Sequence, residues 1–248
     1  MLLLITAAGE GSRFRLKNIK TPKPLIRVKG KTLLEHTLDS FNLSPDDQLL
    51  IAVQRAHEIP NKLDNHLKRI LPQVNLQWIE LEAILPGQLF TAVTALEQNQ
   101  TDQNLPLLIH NCDTGFNWKN DLLPENEAYG SMAVFPAKGE HWSFGKPDPL
   151  RPNQAIAIAE KKRISNLASI GLYGFQSVEL FIKDAHKQLS DGDTVNGEHY
   201  VAPLLQHAIH QGEVIQLPRV DGVRTYGTPK ELCTSFDIKF EELQTNNY

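Results

Sequence analysis

A chain of 248 residues with 41% hydrophobic and 22% charged side chains has an ordinary globular composition and is not a disordered one. Its 25 Lys and Arg against 29 Asp and Glu leave a net charge of −4, which excludes a basic nucleic-acid-binding footprint. Two cysteines, Cys112 and Cys233, supply neither a disulfide framework nor a four-cysteine zinc site, and fit a reducing, cytoplasmic setting.

The opening apolar run, Leu2 to Ala8, is too short to span a bilayer and lacks the basic start of a signal peptide, so no membrane partner is expected. Continuously apolar and closed by Gly9, it predicts a strand buried on both faces of a parallel sheet. A glycine turn follows, then a basic loop through Pro24 that does not enter a helix. Thr32 and Glu35 have capping-box spacing, and Leu34, Leu38 and Phe41 continue at helical spacing. A strand is expected over 48–53, a helix over 59–71 between Pro60 and Pro72, a strand over 76–81 and a helix over 87–96. The strand 106–111 then delivers Asp113 just past its end. Alternating strands and helices predict a doubly wound, mostly parallel α/β sheet, whose ligands bind beyond the carboxyl ends of the strands.

The second half predicts short strands over 131–135, 144–146, 156–159 and 169–175. Helices are expected over 178–189, 200–211 and 229–243, with a strand over 214–217. With no repeat or linker, one domain spanning 1–248 with a mixed extension of its sheet is expected: a nucleotide-binding half, 1–125, an acceptor half, 126–235, and a C-terminal helix and tail, 236–248.

The strongest local pattern is Gly9-Glu10-Gly11-Ser12-Arg13 followed by Pro22-Lys23-Pro24. Glycines after a strand let backbone N–H groups approach an anion, Arg13 can grip two phosphate oxygens in one fork, and Lys23 adds a point charge. The pattern is not a P-loop, and Phe14 stands where a dinucleotide fingerprint needs its third glycine.

These motifs resemble those of the sugar-phosphate nucleotidyltransferases, the sugar-1-phosphate pyrophosphorylases of glycosyltransferase-A-like fold. The likeness runs from 7–13 and 21–25 through Pro86-Gly87, Asn111-Cys112-Asp113, Glu160-Lys161, 169–173 and 196–201 to Gly227-Thr228-Pro229. It is nearest to the branch that makes capsule and lipopolysaccharide precursors. The resemblance implies that Ala7, Ala8, Gly9, Gly11, Ser12 and Arg13 hold the nucleotide and that Lys23 meets the α-phosphate or the leaving pyrophosphate. It places Glu82 and Gly87 by the base, Asp113 on Mg²⁺, and Glu160, Lys161, Gly171 and Glu198 on a sugar phosphate or similar small phosphorylated acceptor. A homo-oligomer is compatible with the sequence.

The family pattern has a second acidic residue two positions before Gly227, where this chain has Thr225. Asp113 with waters and phosphates, or a substitute such as Glu198, would then hold the cation. Relatives using uridine or thymidine nucleotides carry Gln at the position of Glu82. A carboxylate only accepts hydrogen bonds, so it suits the cytosine amino group and predicts CTP first and GTP second. Two other readings compete: a non-catalytic regulatory homologue, favoured by Thr225, and a glycosyltransferase, which expects an Asp-x-Asp where Asn111-Cys112-Asp113 offers one acid. His57, His66 and His141 read as surface residues, His199 equally as within reach of a sugar or as a core or surface residue, and Cys112 as a small strand-end residue.

Overall fold

A computed structural model describes residues 1–118, 122–125, 127–192 and 194–245. Asn126, where the acceptor half was expected to begin, and the tail residues 246–248 lie outside them.

The chain opens with β1 (Leu2–Thr6), followed by a one-turn helix α1 (Ser12–Arg15), the hairpin β2 (Arg27–Val28) and β3 (Lys31–Thr32), and α2 (Leu33–Leu38). Next come β4 (Gln48–Gln54), α3 (Ile59–Ile70), β5 (Asn75–Leu81), α4 (Gln88–Gln98) and β6 (Leu107–Asn111). The second half supplies β7 (Thr114–Asn117), β8 (Gly130–Pro136), β9 (Ser143–Pro147), β10 (Ala155–Glu160) and β11 (Leu167–Phe175), then α5 (Val178–Asp191) and α6 (Ala202–His210). The last elements are β12 (Ile215–Gln216), β13 (Asp221–Thr225), α7 (Pro229–Phe236) and α8 (Phe240–Thr245).

Nine strands form one mixed sheet with the path β10-β9-β11-β6-β1-β4-β5, with β8 attached to β11 and β12 attached to β8. β1 lies at its centre, parallel to β4 on one side and β6 on the other, and β4 pairs in parallel with β5. From β6 outward the pairing turns antiparallel through β11. Side chains alternate across β1: Leu2 and Leu4 enter the core beneath α4, α5 and α6, while Leu3 and Ile5 enter the core beneath α2 and α3. With helical cores on both faces, the central strands are apolar throughout rather than alternating. Among the described residues no helix is long and apolar enough to cross a membrane.

Local chemistry explains the helix starts. Thr32 caps α2 with a complete capping box: its Oγ1 accepts the Glu35 N–H at 3.2 Å, and its own N–H donates to Glu35 Oε2 at 2.8 Å. Ser177 and Thr228 cap α5 and α7 through their side chains.

Four expectations are corrected. The loop after Gly11 does enter a helix, one turn long, because Phe14 is buried in a third apolar cluster with Ile19, Ile26, Tyr226 and Leu232. The expected helix over 229–243 is two helices, since Asp237 takes the left-handed conformation at φ 49 and closes α7. The helix expected over 200–211 begins at Ala202. His57 is buried rather than superficial, and burial lowers its pKa.

Candidate active site

The carboxyl ends of β1 and β6 open into one cleft. β11 runs antiparallel to β6, so its interior bulge at Ser169–Gly171 reaches the same cleft. At the end of β1, Gln54 donates to the carbonyls of Ala8 and Gly9 at 2.7 and 3.2 Å. In a trans peptide the N–H points opposite its carbonyl, so this grip turns the N–H groups of Gly9 and Glu10 away from Gln54. Gly11 adopts φ 68, and a Cβ there would lie 3.5 Å from Lys23 Cβ. Arg13 is exposed and lines the cleft. Turn and cation therefore form one cradle.

Across the cradle, Lys23 Nζ donates to Asp113 Oδ2 at 2.9 Å. Burial pushes the Asp113 carboxyl up, but the adjacent Lys23 charge and hydrogen bond, with help from His110 and Thr114, outweigh it and hold the pKa low. Asp113 is thus ionised at neutral pH. Its neighbour Cys112 is the reverse case, with burial pushing the thiol up to about 12, so it is no nucleophile at neutral pH. The fully buried His110 has its pKa lowered by burial and bonds the Thr114 carbonyl through Nε2 at 2.9 Å, fixing the chain just past Asp113.

β13 pairs with β7 so that Thr225 stands opposite Thr114, and the Tyr226 N–H donates to the Asp113 carbonyl at 2.9 Å. This ribbon brings Gly227 and the start of α7 against Asp113. A Cβ built on Gly227 would lie 3.3 Å from Asp113 Oδ2 and 3.2 Å from Glu231 Oε2. Nearby, the Asn111 Oδ1 atom is buried with no hydrogen-bond partner. Hard oxygen donors beside an open pocket suit Mg²⁺, which keeps waters and takes one or two carboxylates with substrate phosphates. Among the described residues there is no group of three or more His, Cys, Asp or Glu that could hold a metal ion.

The opposite wall carries Glu160 and Lys161. Ser143 Oγ donates to Glu160 Oε2, and burial raises the Glu160 pKa despite that bond and Lys161. Lys161 takes φ 50, donates to the Tyr200 hydroxyl and lies 4.4 Å from the centre of its ring. Tyr200 in turn donates to Glu198. Glu198 stands at the end of a tight hairpin, with reciprocal backbone bonds between Val195 and Glu198 and positive φ at Asn196 and Gly197. That hairpin is pinned to the loop before α4: His199 N–H donates to Pro86 O at 2.9 Å and Leu89 N–H to His199 O at 3.0 Å. Gly87, at φ 107, admits this contact, since a Cβ would meet His199 O at 2.3 Å. Gly171, at φ 77, likewise lies against the Asn111 side chain.

Ala7, Ala8, Gly9, Gly11, Ser12, Arg13, Lys23, Gly87, Asp113, Glu160, Lys161, Gly171 and Glu198 all line this one cleft. Glu82 is not among its lining residues; its side chain is 72% exposed and pairs with Arg55. The expectation that Glu82 lies by the base is therefore corrected: its carboxylate stands in solvent outside the cleft lining and already accepts from Arg55. Sequence reasoning missed Gln54 and Glu231. Gln54 carried a signal in hindsight, as a polar residue closing an otherwise apolar strand.

The sequence model of the MobA-like NTP transferase domain matches residues 3–225. A 2-aminoethylphosphonate cytidylyltransferase of Lancefieldella rimae is 25% identical over 230 residues, covering 89% of this chain and 88% of that protein. The bifunctional protein GlmU of Methanocaldococcus jannaschii is 24% identical across 99% of this chain, which spans 53% of that relative's length. Among solved structures, the nucleoside-diphosphate-sugar pyrophosphorylase of Vibrio cholerae RC9 superposes with TM-score 0.83 at 26% identity, covering 96% of this chain and 100% of its own. A UDP-glucose pyrophosphorylase complexed with UDP-glucose shares the fold at TM-score 0.73 and 14% identity, over 95% of this chain and 97% of that one.

Proposed function

The chain belongs to the MobA-like NTP transferase domain family, and from that membership we propose that it transfers NMP from an NTP to a small phosphorylated acceptor, releasing pyrophosphate. The observation carrying this reading is a single cleft. In it the Gly9–Arg13 turn and the Lys23–Asp113 pair face Glu160 and Lys161. Sugar phosphates and phosphonates are the acceptor classes, as the names of the relatives suggest. CTP is the favoured donor and GTP the second. The support for CTP is the named cytidylyltransferase, because Glu82, paired with Arg55 outside the cleft lining, does not discriminate between cytosine and uracil there.

A phosphate monoester has a second pKa near ~6 and is already an anionic nucleophile at neutral pH, so no general base is required. Its oxygen forms the new bond to the α-phosphorus while the bond to the β-phosphate oxygen breaks. Like-charge repulsion and the charge on the departing pyrophosphate are the obstacles. Arg13 and Lys23 meet them on the nucleotide side and Lys161 on the acceptor side, by positioning and electrostatics. Asp113 would hold Mg²⁺, which supplies further charge neutralisation when bound.

The test is pyrophosphate release from CTP, GTP, UTP and dTTP against a panel of sugar phosphates and aminoalkylphosphonates, with and without EDTA. Turnover highest with CTP and abolished by EDTA is expected. Binding of nucleotide without turnover on any acceptor would favour the non-catalytic homologue suggested by Thr225, and full activity in EDTA would remove the metal.

A further inference from the structure

We propose that Glu231 supplies the second carboxylate of the cation site, in place of the acid missing at Thr225. The inference depends on the nucleotidyl-transfer reading above and concerns residues of this chain alone. Position 225 faces Thr114 across the β7–β13 ribbon, next to Asp113, but presents a hydroxyl with no charge to offer a divalent cation. Six residues on, Glu231 returns a carboxylate to the same place. The Cβ position of Gly227 is 3.2 Å from Glu231 Oε2 and 3.3 Å from Asp113 Oδ2, so two acids from different elements converge on one glycine. That glycine leaves open the space any side chain would fill.

The convergence is built into α7. Thr228 caps the helix, and its Oγ1 accepts the Glu231 N–H at 3.2 Å, which fixes the backbone from which the carboxylate projects. A glutamate at the third helical position often reaches back to the capping residue's own N–H, as Glu35 does in α2. Glu231 instead lines the cleft, with Oε2 over Gly227 and Oε1 3.8 Å from His141 Nε2. Lys23 already balances Asp113, so Glu231 adds the negative charge that favours a divalent cation at this spot. Glu198 cannot do so from its place, because it accepts from Tyr200 and sits 3.9 Å from Lys161 on the opposite wall.

The experiment is Mn²⁺ binding to the full chain, read by the EPR signal of the free ion, first with metal alone and then with saturating CTP. Glu231→Gln keeps the side-chain volume and the Thr228 bond, and its thermal midpoint checks the fold. Glu231→Gln is expected to weaken Mn²⁺ binding about tenfold, Asp113→Asn at least as much, and Glu198→Gln less than twofold. Wild-type affinity in Glu231→Gln would overturn the proposal, as would a larger loss in Glu198→Gln or no wild-type binding in either condition. Pyrophosphate release, measured in parallel, separates the two ideas. Glu231-dependent Mn²⁺ binding without turnover overturns the reaction and keeps the site. Turnover with Mn²⁺ binding indifferent to Glu231 does the reverse.

Discussion

Lys23 holds the Asp113 carboxylate and, in the proposed reaction, would also face the phosphates of the nucleotide. On that reading, removing it takes away a stabiliser of the transferring group and also the charge that does most to hold the Asp113 pKa down. Lys23→Ala and Arg13→Ala are each expected to lower kcat/KM by ~10²-fold or more in the pyrophosphate assay. Near-wild-type turnover by both would overturn their assignment. Glu82→Gln is expected to leave the ratio of kcat/KM for CTP to that for UTP within about twofold, since water screens a carboxylate so exposed. A collapse of the preference would return Glu82 to the base. The glycines, Arg13, Lys23 and Asp113 were legible because each belongs to a motif tied to a strand end. Glu82 was misplaced because a position matched to relatives does not reveal which way the side chain turns. Gln54 and Glu231 were missed because their local patterns, a polar strand end and a Thr-x-x-Glu helix start, speak of structure and not of the distant residues, Ala8 with Gly9 and Asp113, that they meet in space.

At the scale of elements, the central strands and the long helices were readable because burial on both sheet faces writes continuous apolar runs, and capping residues mark helix starts. The β7–β13 ribbon was not. It joins residues some hundred positions apart, and neither strand alternates cleanly enough to announce itself. The break at Asp237 was also hidden, because helical spacing of apolar residues resumes on the far side of it. The cap on α2 offers a direct check. Thr32→Ala removes the side-chain acceptor of the capping box and is expected to cost ~1 kcal/mol, lowering Tm by about 2–4 °C for a chain of this size. An unchanged melting midpoint would show that tertiary packing alone holds α2.

For the whole molecule, the buried titrating groups predict the direction of acid sensitivity. Burial lowers the pKa of His36, His57 and His110, so the folded chain binds fewer protons there than the unfolded one. Their contribution is complete above the unfolded value of about 6.5 and is lost as pH falls below it. At lower pH the carboxylates follow. Burial alone would raise Glu35 and Asp47. Instead, Thr32 and His66 hold Glu35 down, and the N-terminal amine and Ser44 hold Asp47 down, so stability is lost as these groups protonate. Glu160, raised by burial, acts in the opposite direction. Calorimetric Tm is therefore expected to hold from pH 7.5 to about pH 6.5 and to fall from there to pH 4.5; a flat profile throughout would contradict it. The seam where His199 lies on Gly87 has a consequence for kinetics. In the proposed reaction the loop of Gly87 would serve the donor and the hairpin of Glu198 the acceptor across this one joint, so whichever substrate arrives first would stiffen the wall the second must meet. Two guests that tighten the same joint raise each other's affinity by the same factor. The expected behaviour is a sequential mechanism in which raising one substrate lowers the KM of the other. Gly87→Ala, by forcing the two loops apart, should erase that mutual help before it erases turnover, whereas parallel double-reciprocal plots in the wild type would deny the joint any such role.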